Sequence, residues 1–168
     1  EFFSDVAPPM IGIMMYRGDL YMFPFVWGGS LLYYNPKLFA EAGVDRPKED
    51  WTLEDFLSAA RKINQKNKDV LGYGWTNQTF PGLNHWFMLN DSELFQRSQA
   101  PGGEWLWNQF YKDVAGASKY GGGFLWGEPQ ANSPRSVEAL QFLVDLTHQQ
   151  KLTPVPTSSW DDLINLFV

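Results

Sequence analysis

Apolar positions along the chain fall into patches of helical spacing, separated by Gly, Pro and Asn. Leu53, Phe56, Leu57, Ala60 and Ile63 recur at three- and four-residue intervals, which predicts one buried stripe on a helix. Thr52 stands at its start with Asp55 three residues on, a variant capping box. Trp51 and Phe56 fit a hydrophobic staple, and Arg61, Lys62, Lys66 and Lys68 sit toward the end, where cations suit the helix dipole. Asn35-Pro36 opens a shorter helix that Gly43 stops. Ser133-Pro134 opens a long one reaching Gln149. Val137, Leu140, Leu143, Val144 and Thr147 lie on one face of it, and Ala139, Phe142 and Leu146 add a second, which predicts burial on most sides. Ser159, with Asp162 three residues later, caps a last helix whose stripe is Trp160, Leu163, Ile164 and Phe167.

Between these patches the period changes. Tyr21 to Tyr34 reads as an extended segment with a kink or close backbone approach at Gly28-Gly29-Ser30. Val70 to Trp75 reads as a short strand, and helix followed by strand is the order an α/β layer produces. Leu83, Trp86, Phe87 and Asn90 return to helical spacing. Glu104 to Val114 reads as an aromatic helix, Gly121-Gly122-Gly123 as a flexible break, and Pro154 and Pro156 as an extended connector.

Composition narrows the function. The 168 residues suit one domain or one lobe of a larger protein. A net charge of −6 without a basic cluster argues against nucleic acid and anionic membranes as partners. No apolar run approaches the roughly 18 residues of a membrane span. Without cysteine there is no disulfide, thiolate metal site or thiol catalysis, and the two histidines, His85 and His148, stand far apart, which leaves no basis for a zinc site or other cofactor. The aromatic share is high, 17% with eight tryptophans. Trp fills cores, but it also serves binding surfaces, because a flat apolar face is joined to a polar handle. The chain opens on Glu1-Phe2-Phe3 and stops inside the pattern of its last helix, as a fragment or processed product would. Missing targeting signals therefore carry no information on location.

Catalytic patterns are weak. Asp91 with Glu93, or Glu104 with Asp113, are the carboxylate pairs on offer for a glycosidase, and nothing in their spacing marks them out. The serines lie in no nucleophile-elbow pattern, and the triple glycine lacks the neighbours of a phosphate-binding loop. Asn77-Gln78-Thr79 and Asn90-Asp91-Ser92 satisfy the glycosylation rule, as chance triplets also do.

Four blocks in order carry a resemblance. Gly18-Asp19-Leu20-Tyr21-Met22-Phe23-Pro24 and Gly28 through Phe39, with Ala42-Gly43, resemble the hinge-crossing segment of the family 1 extracellular solute-binding proteins, the maltose-binding type included. Trp51 to Phe56 with Ala59-Ala60-Arg61-Lys62-Ile63 resembles that family's "W-T-x-x-x-F-x-x-A-A-K-K-L" helix. Ser133-Pro134 through Leu146 is similar to a third block, and Ser159 through Phe167 to a fourth. Residues 91–120 depart from the pattern, being longer and more aromatic.

The resemblance implies an α/β, periplasmic-binding-protein-like (type II) two-lobe fold, here one lobe plus a hinge-crossing strand. On that reading residues 1–24 are the end of the first lobe and the hinge strand, residues 25–157 the second lobe, and residues 158–168 a truncated helix leading back toward the hinge. It implies a binder, not an enzyme, that takes a sugar in the periplasm or outside the cell, in free or lipoprotein form, and delivers it to an ABC transporter permease by hinge closure. A pyranose packs its C–H face on an indole and pairs its hydroxyls with amides. The candidate ligand residues are therefore Trp27, Gly28 and Ser30, then Trp75, Asn77, Gln78, Phe80, Trp86 and Asn90, and Trp126. Leu83 and Phe87 are assigned to the core. Two alternatives stay open: the same fold binding a polyol, phosphorylated polyol or polyamine, with Arg17 and Arg97 as loop cations, and a glycoside hydrolase domain.

Overall fold

A computed structural model describes residue 3, residues 5–25 and residues 28–167, apart from the side chains of Phe80 and Pro81. In chain order the elements are helix α1 (Pro8–Met14), strands β1 (Met15–Tyr16) and β2 (Asp19–Leu20), and helices α2 (Pro36–Glu41) and α3 (Leu53–Lys66). A π-helical turn (Thr79–Leu83) runs into α4 (Asn84–Leu89). Strand β3 (Phe95–Gln99), helix α5 (Glu104–Phe110), a 3-10 turn (Ala117–Tyr120), strand β4 (Phe124–Pro129) and helices α6 (Pro134–His148) and α7 (Trp160–Phe167) complete the chain. The class is mixed α/β. Contacts divide it into two compact units, Glu1–Gly29 with Phe95–Gln130, and Ser30–Leu94 with Ala131–Val168.

In the first unit β1 and β2 form a small antiparallel hairpin, Met15 opposite Leu20 and Tyr16 opposite Asp19. Its two turn residues, Arg17 and Gly18, both have positive φ (51° and 92°), the conformation that a tight two-residue hairpin turn requires. Strands β3 and β4 pair antiparallel, with an irregularity between Phe95 and Arg97. The core holds Ile11, Met15, Leu106, Trp107, Tyr111 and Ala117, with Phe3, Val6, Leu20, Phe23 and Tyr120 packed against it. The triple glycine is not a flexible break. A Cβ on Gly122 would lie 2.0 Å from the Pro101 carbonyl oxygen, and one on Gly123 would lie 2.3 Å from that of Met15. The glycines are there because backbone meets backbone.

In the second unit the predicted caps form. The Asn35 side chain accepts from the Lys37 and Leu38 amides. The Thr52 hydroxyl accepts from Asp55 N–H at 3.2 Å while the Asp55 carboxylate accepts from Thr52 N–H at 2.9 Å, a complete capping box. The Ser133 hydroxyl caps α6 by accepting from Ser136 N–H, and the Ser159 hydroxyl caps α7 by accepting from Asp162 N–H. Helix α3 packs on two sides. Leu57 and Ala60 join Trp75, Trp86, Leu143, Leu146 and Leu152 in one cluster, and Ala59 and Ile63 join Phe39 in another. That second cluster buries Ala59, outside the predicted stripe, while Leu53 at the helix start stays exposed. The staple pair splits: Trp51 stacks on Phe39, and Phe56 turns to Tyr73 and Trp86.

Other expectations need correction. Val70 to Trp75 forms no ladder. Tyr73 N–H donates to the Leu152 carbonyl and Asn77 N–H to that of Thr157, with one isolated parallel bridge between Thr76 and Thr157. The facing stretch carries Pro154 and Pro156, which have no N–H to donate. The described residues of Tyr21 to Tyr34 form no strand, because strand backbone needs a neighbouring strand to pair with and none is supplied there. Helix α6 is buried along Ala139, Leu143 and Leu146 but exposes Val137 and Val144. Helix α7, by contrast, forms where its cap predicts and carries its stripe outward, with Trp160, Ile164 and Phe167 exposed.

Candidate functional site

The Thr76–Thr157 bridge brings two polar stretches side by side. Asn77 N–H donates to the Thr157 carbonyl at 3.0 Å, and Gln78 reaches across with its Nε2 to the Ser158 carbonyl at 2.7 Å. The Thr157 hydroxyl donates to the Asp162 carboxylate at 3.1 Å and accepts from Ser159 N–H. The result is a shelf of amides and hydroxyls, with the Asn77 side chain exposed and those of Gln78 and Thr157 half-buried. Gly82 closes its floor: a Cβ there would lie 1.9 Å from the Thr76 carbonyl oxygen, and the π-helical turn presses the chain against that carbonyl. Trp160, two residues past Ser158, exposes nearly half of its surface. It is not among the candidates read from the sequence, where it counts only as part of the apolar stripe of the last helix.

Other predicted residues are placed differently. Trp75 and Trp86 are each only 8% exposed and belong to the core. Phe56, Tyr73, His85 and Phe142 surround the Trp86 ring, with centroids 5.3–6.0 Å away, so its faces are covered by its own unit. The Trp75 indole N–H is buried without a hydrogen-bond partner. Burial pushes the Tyr73 phenol up to about 12, opposed by the Trp86 indole N–H beside it, although that N–H makes no hydrogen bond of ordinary geometry. Asn90 is committed to α6, donating to the Arg135 carbonyl at 2.8 Å and the Glu138 carboxylate at 3.0 Å. Gly28 and Ser30 are exposed, with open space around Gly28. Trp27 lies outside the described residues, as does the side chain of Phe80.

In the first unit Trp126 is 61% exposed on β4. It stands opposite Arg97 across the ladder, and Gln99 stands opposite Phe124, so the four share one face. The Arg97 guanidinium lies 4.8 Å from the centre of the Phe124 ring.

Asp91 forms a surface ion pair with Arg135 at 2.9 Å, and Glu104 occupies the first turn of α5. A shallow open depression of about 700 Å³ runs along α6, lined by Pro134, Val137, Glu138, Gln141, Phe142 and Asp145. No predicted site residue lines it, and Gln141 is hydrogen-bonded to Asp145. Among the described residues no group of three or more metal-ligating side chains comes together, and no helix is long and apolar enough to cross a membrane.

A sequence model of the family described as bacterial extracellular solute-binding protein matches residues 2–168. Among solved structures, the chain is similar to an ABC substrate-binding protein from Listeria monocytogenes in complex with cycloalternan, at 25% sequence identity and a TM-score of 0.47. The match covers 78% of this chain and 28% of that one, so the chain spans under a third of that protein's length.

Proposed function

Because this chain belongs to the bacterial extracellular solute-binding protein family, we propose that it contributes to capturing a carbohydrate outside the cytoplasm for delivery to an ABC importer. The observation that carries the sugar reading is the shelf at Asn77, Gln78, Thr157 and Ser158. Gln78 Nε2 and the Thr157 hydroxyl hold the two stretches together, and the exposed side chains of Asn77 and Ser158 offer an amide and a hydroxyl, which donate and accept as sugar hydroxyls do. Exposed Trp126 and Trp160 offer flat apolar faces of the kind a pyranose ring packs on. The mechanism is capture by closure of two lobes, with residues 1–24 the end of the first lobe and the hinge strand, residues 25–157 the second lobe and residues 158–168 a helix leading back toward the hinge. Ligand favours the closed state only through contacts it makes better there than in the open one. The chain is a binder and leaves its ligand unchanged.

One lobe supplies only part of such a site. This chain by itself is expected to bind oligosaccharide with a Kd of about 1 mM or weaker, equivalent to about −4 kcal/mol. Saturation-transfer NMR with neutral malto- and cello-oligosaccharides, polyols and polyamines tests the class of ligand. The reading predicts transfer to oligosaccharides alone. Transfer to a polyamine or a simple polyol with none to oligosaccharides would replace the sugar with that solute.

A further inference from the structure

Residues 95–130, which include most of the stretch that departs from the family pattern, share a unit with the N-terminal hairpin. Both backbone groups of Gly18, at the tip of the β1–β2 hairpin, are taken by residues from 95–130. Gly18 N–H donates to the Gly122 carbonyl at 3.0 Å, and the Gly18 carbonyl accepts from the Trp105 indole N–H at 2.9 Å. The surface facing the tip is built of glycine. A Cβ on Gly122 would lie 2.6 Å from Gly18 N, and one on Gly102 would lie 3.1 Å from Gly18 Cα. At the other end of the segment, the Tyr111 hydroxyl donates to the Val6 carbonyl at 2.9 Å. Trp107, whose indole N–H donates to Gly121, fixes the socket itself.

We infer that residues 95–130 are a clasp for the N-terminal segment, holding the hairpin tip in a glycine-lined socket so that residues 6–20 and 95–130 move as one body. Residues 95–130 are joined in sequence at both ends to the second unit, so the clasp gives the N-terminal segment a non-covalent tie independent of the chain running through residues 21–34.

The test is amide hydrogen exchange on the folded chain, with Trp105→Phe and Tyr111→Phe combined. Each substitution removes one polar contact and keeps the ring. The clasp predicts at least tenfold faster exchange at Gly18 and Tyr21, with the amides of α3 unchanged. Unchanged exchange at Gly18, or equal acceleration in α3, would overturn it. Gly122→Ala, which must displace the tip, gives a second check and should produce the same local pattern more strongly. Should that variant fail to fold, the conservative pair still decides. None of these readouts needs a sugar, so failure of the carbohydrate reading would leave the clasp standing.

Discussion

Replacing Trp86 and replacing Trp126 with alanine is the same edit in two environments. Trp86 is enclosed by Phe56, Tyr73, His85 and Phe142, so its removal leaves a cavity and is expected to cost about 3–5 kcal/mol of stability. Trp126 stands in solvent. Its removal is expected to leave stability within about 0.5 kcal/mol and, on the proposed sugar reading, to weaken oligosaccharide binding by about 1–3 kcal/mol. Denaturant unfolding of both variants, with an oligosaccharide titration of Trp126→Ala, separates the two roles. The position of Trp86 was legible in its own spacing, because helical intervals from Leu83 through Trp86 and Phe87 to Asn90 place it on the face assigned to the core. Reading it as a ligand residue gave its chemistry more weight than its period. Asn77 and Gln78 are candidates from the family resemblance of their loop and from residue type. Their partners Thr157 and Ser158 are not, since no local signal joins positions about 80 residues apart.

Helices were read well wherever a local signal controls them. Asn35, Thr52 with Asp55, Ser133 and Ser159 all cap as their spacing predicts, because a cap is a hydrogen bond between neighbours in sequence. Pairing of β3 with β4 went unseen, because strand pairing depends on a distant partner and the two strands are separated by a helix and a 3-10 turn. The capping box also gives the fold a response to acid. The Thr52 hydroxyl, and after it the Thr52 N–H, hold the Asp55 carboxyl below its ordinary value. A group whose pKa is lowered by folding stabilises the fold at pH above its unfolded value, and that contribution disappears as pH falls through the folded value. Asp55→Asn should therefore be less stable than the parent chain at pH 7, with the gap closing toward pH ~3. Chemical denaturation at both pH values checks this; a gap independent of pH would mean that the carboxylate charge has no part in the cap.

At the scale of the molecule, the family was legible from four ordered blocks that together reach from Gly18 to Phe167, and the match over residues 2–168 agrees. The ligand was less legible, because a site of the kind proposed is assembled from residues distant in sequence, and a tryptophan at such a site is chemically the same as one in the core. The claim that matters most is capture without turnover. It is tested by titrating maltohexaose into the chain while assaying reducing ends in the same sample. The account predicts weak, saturable binding with the oligosaccharide recovered intact and no rise in reducing ends. Release of reducing ends in proportion to protein and time, abolished by replacing a carboxylate, would contradict it and make this chain a hydrolase.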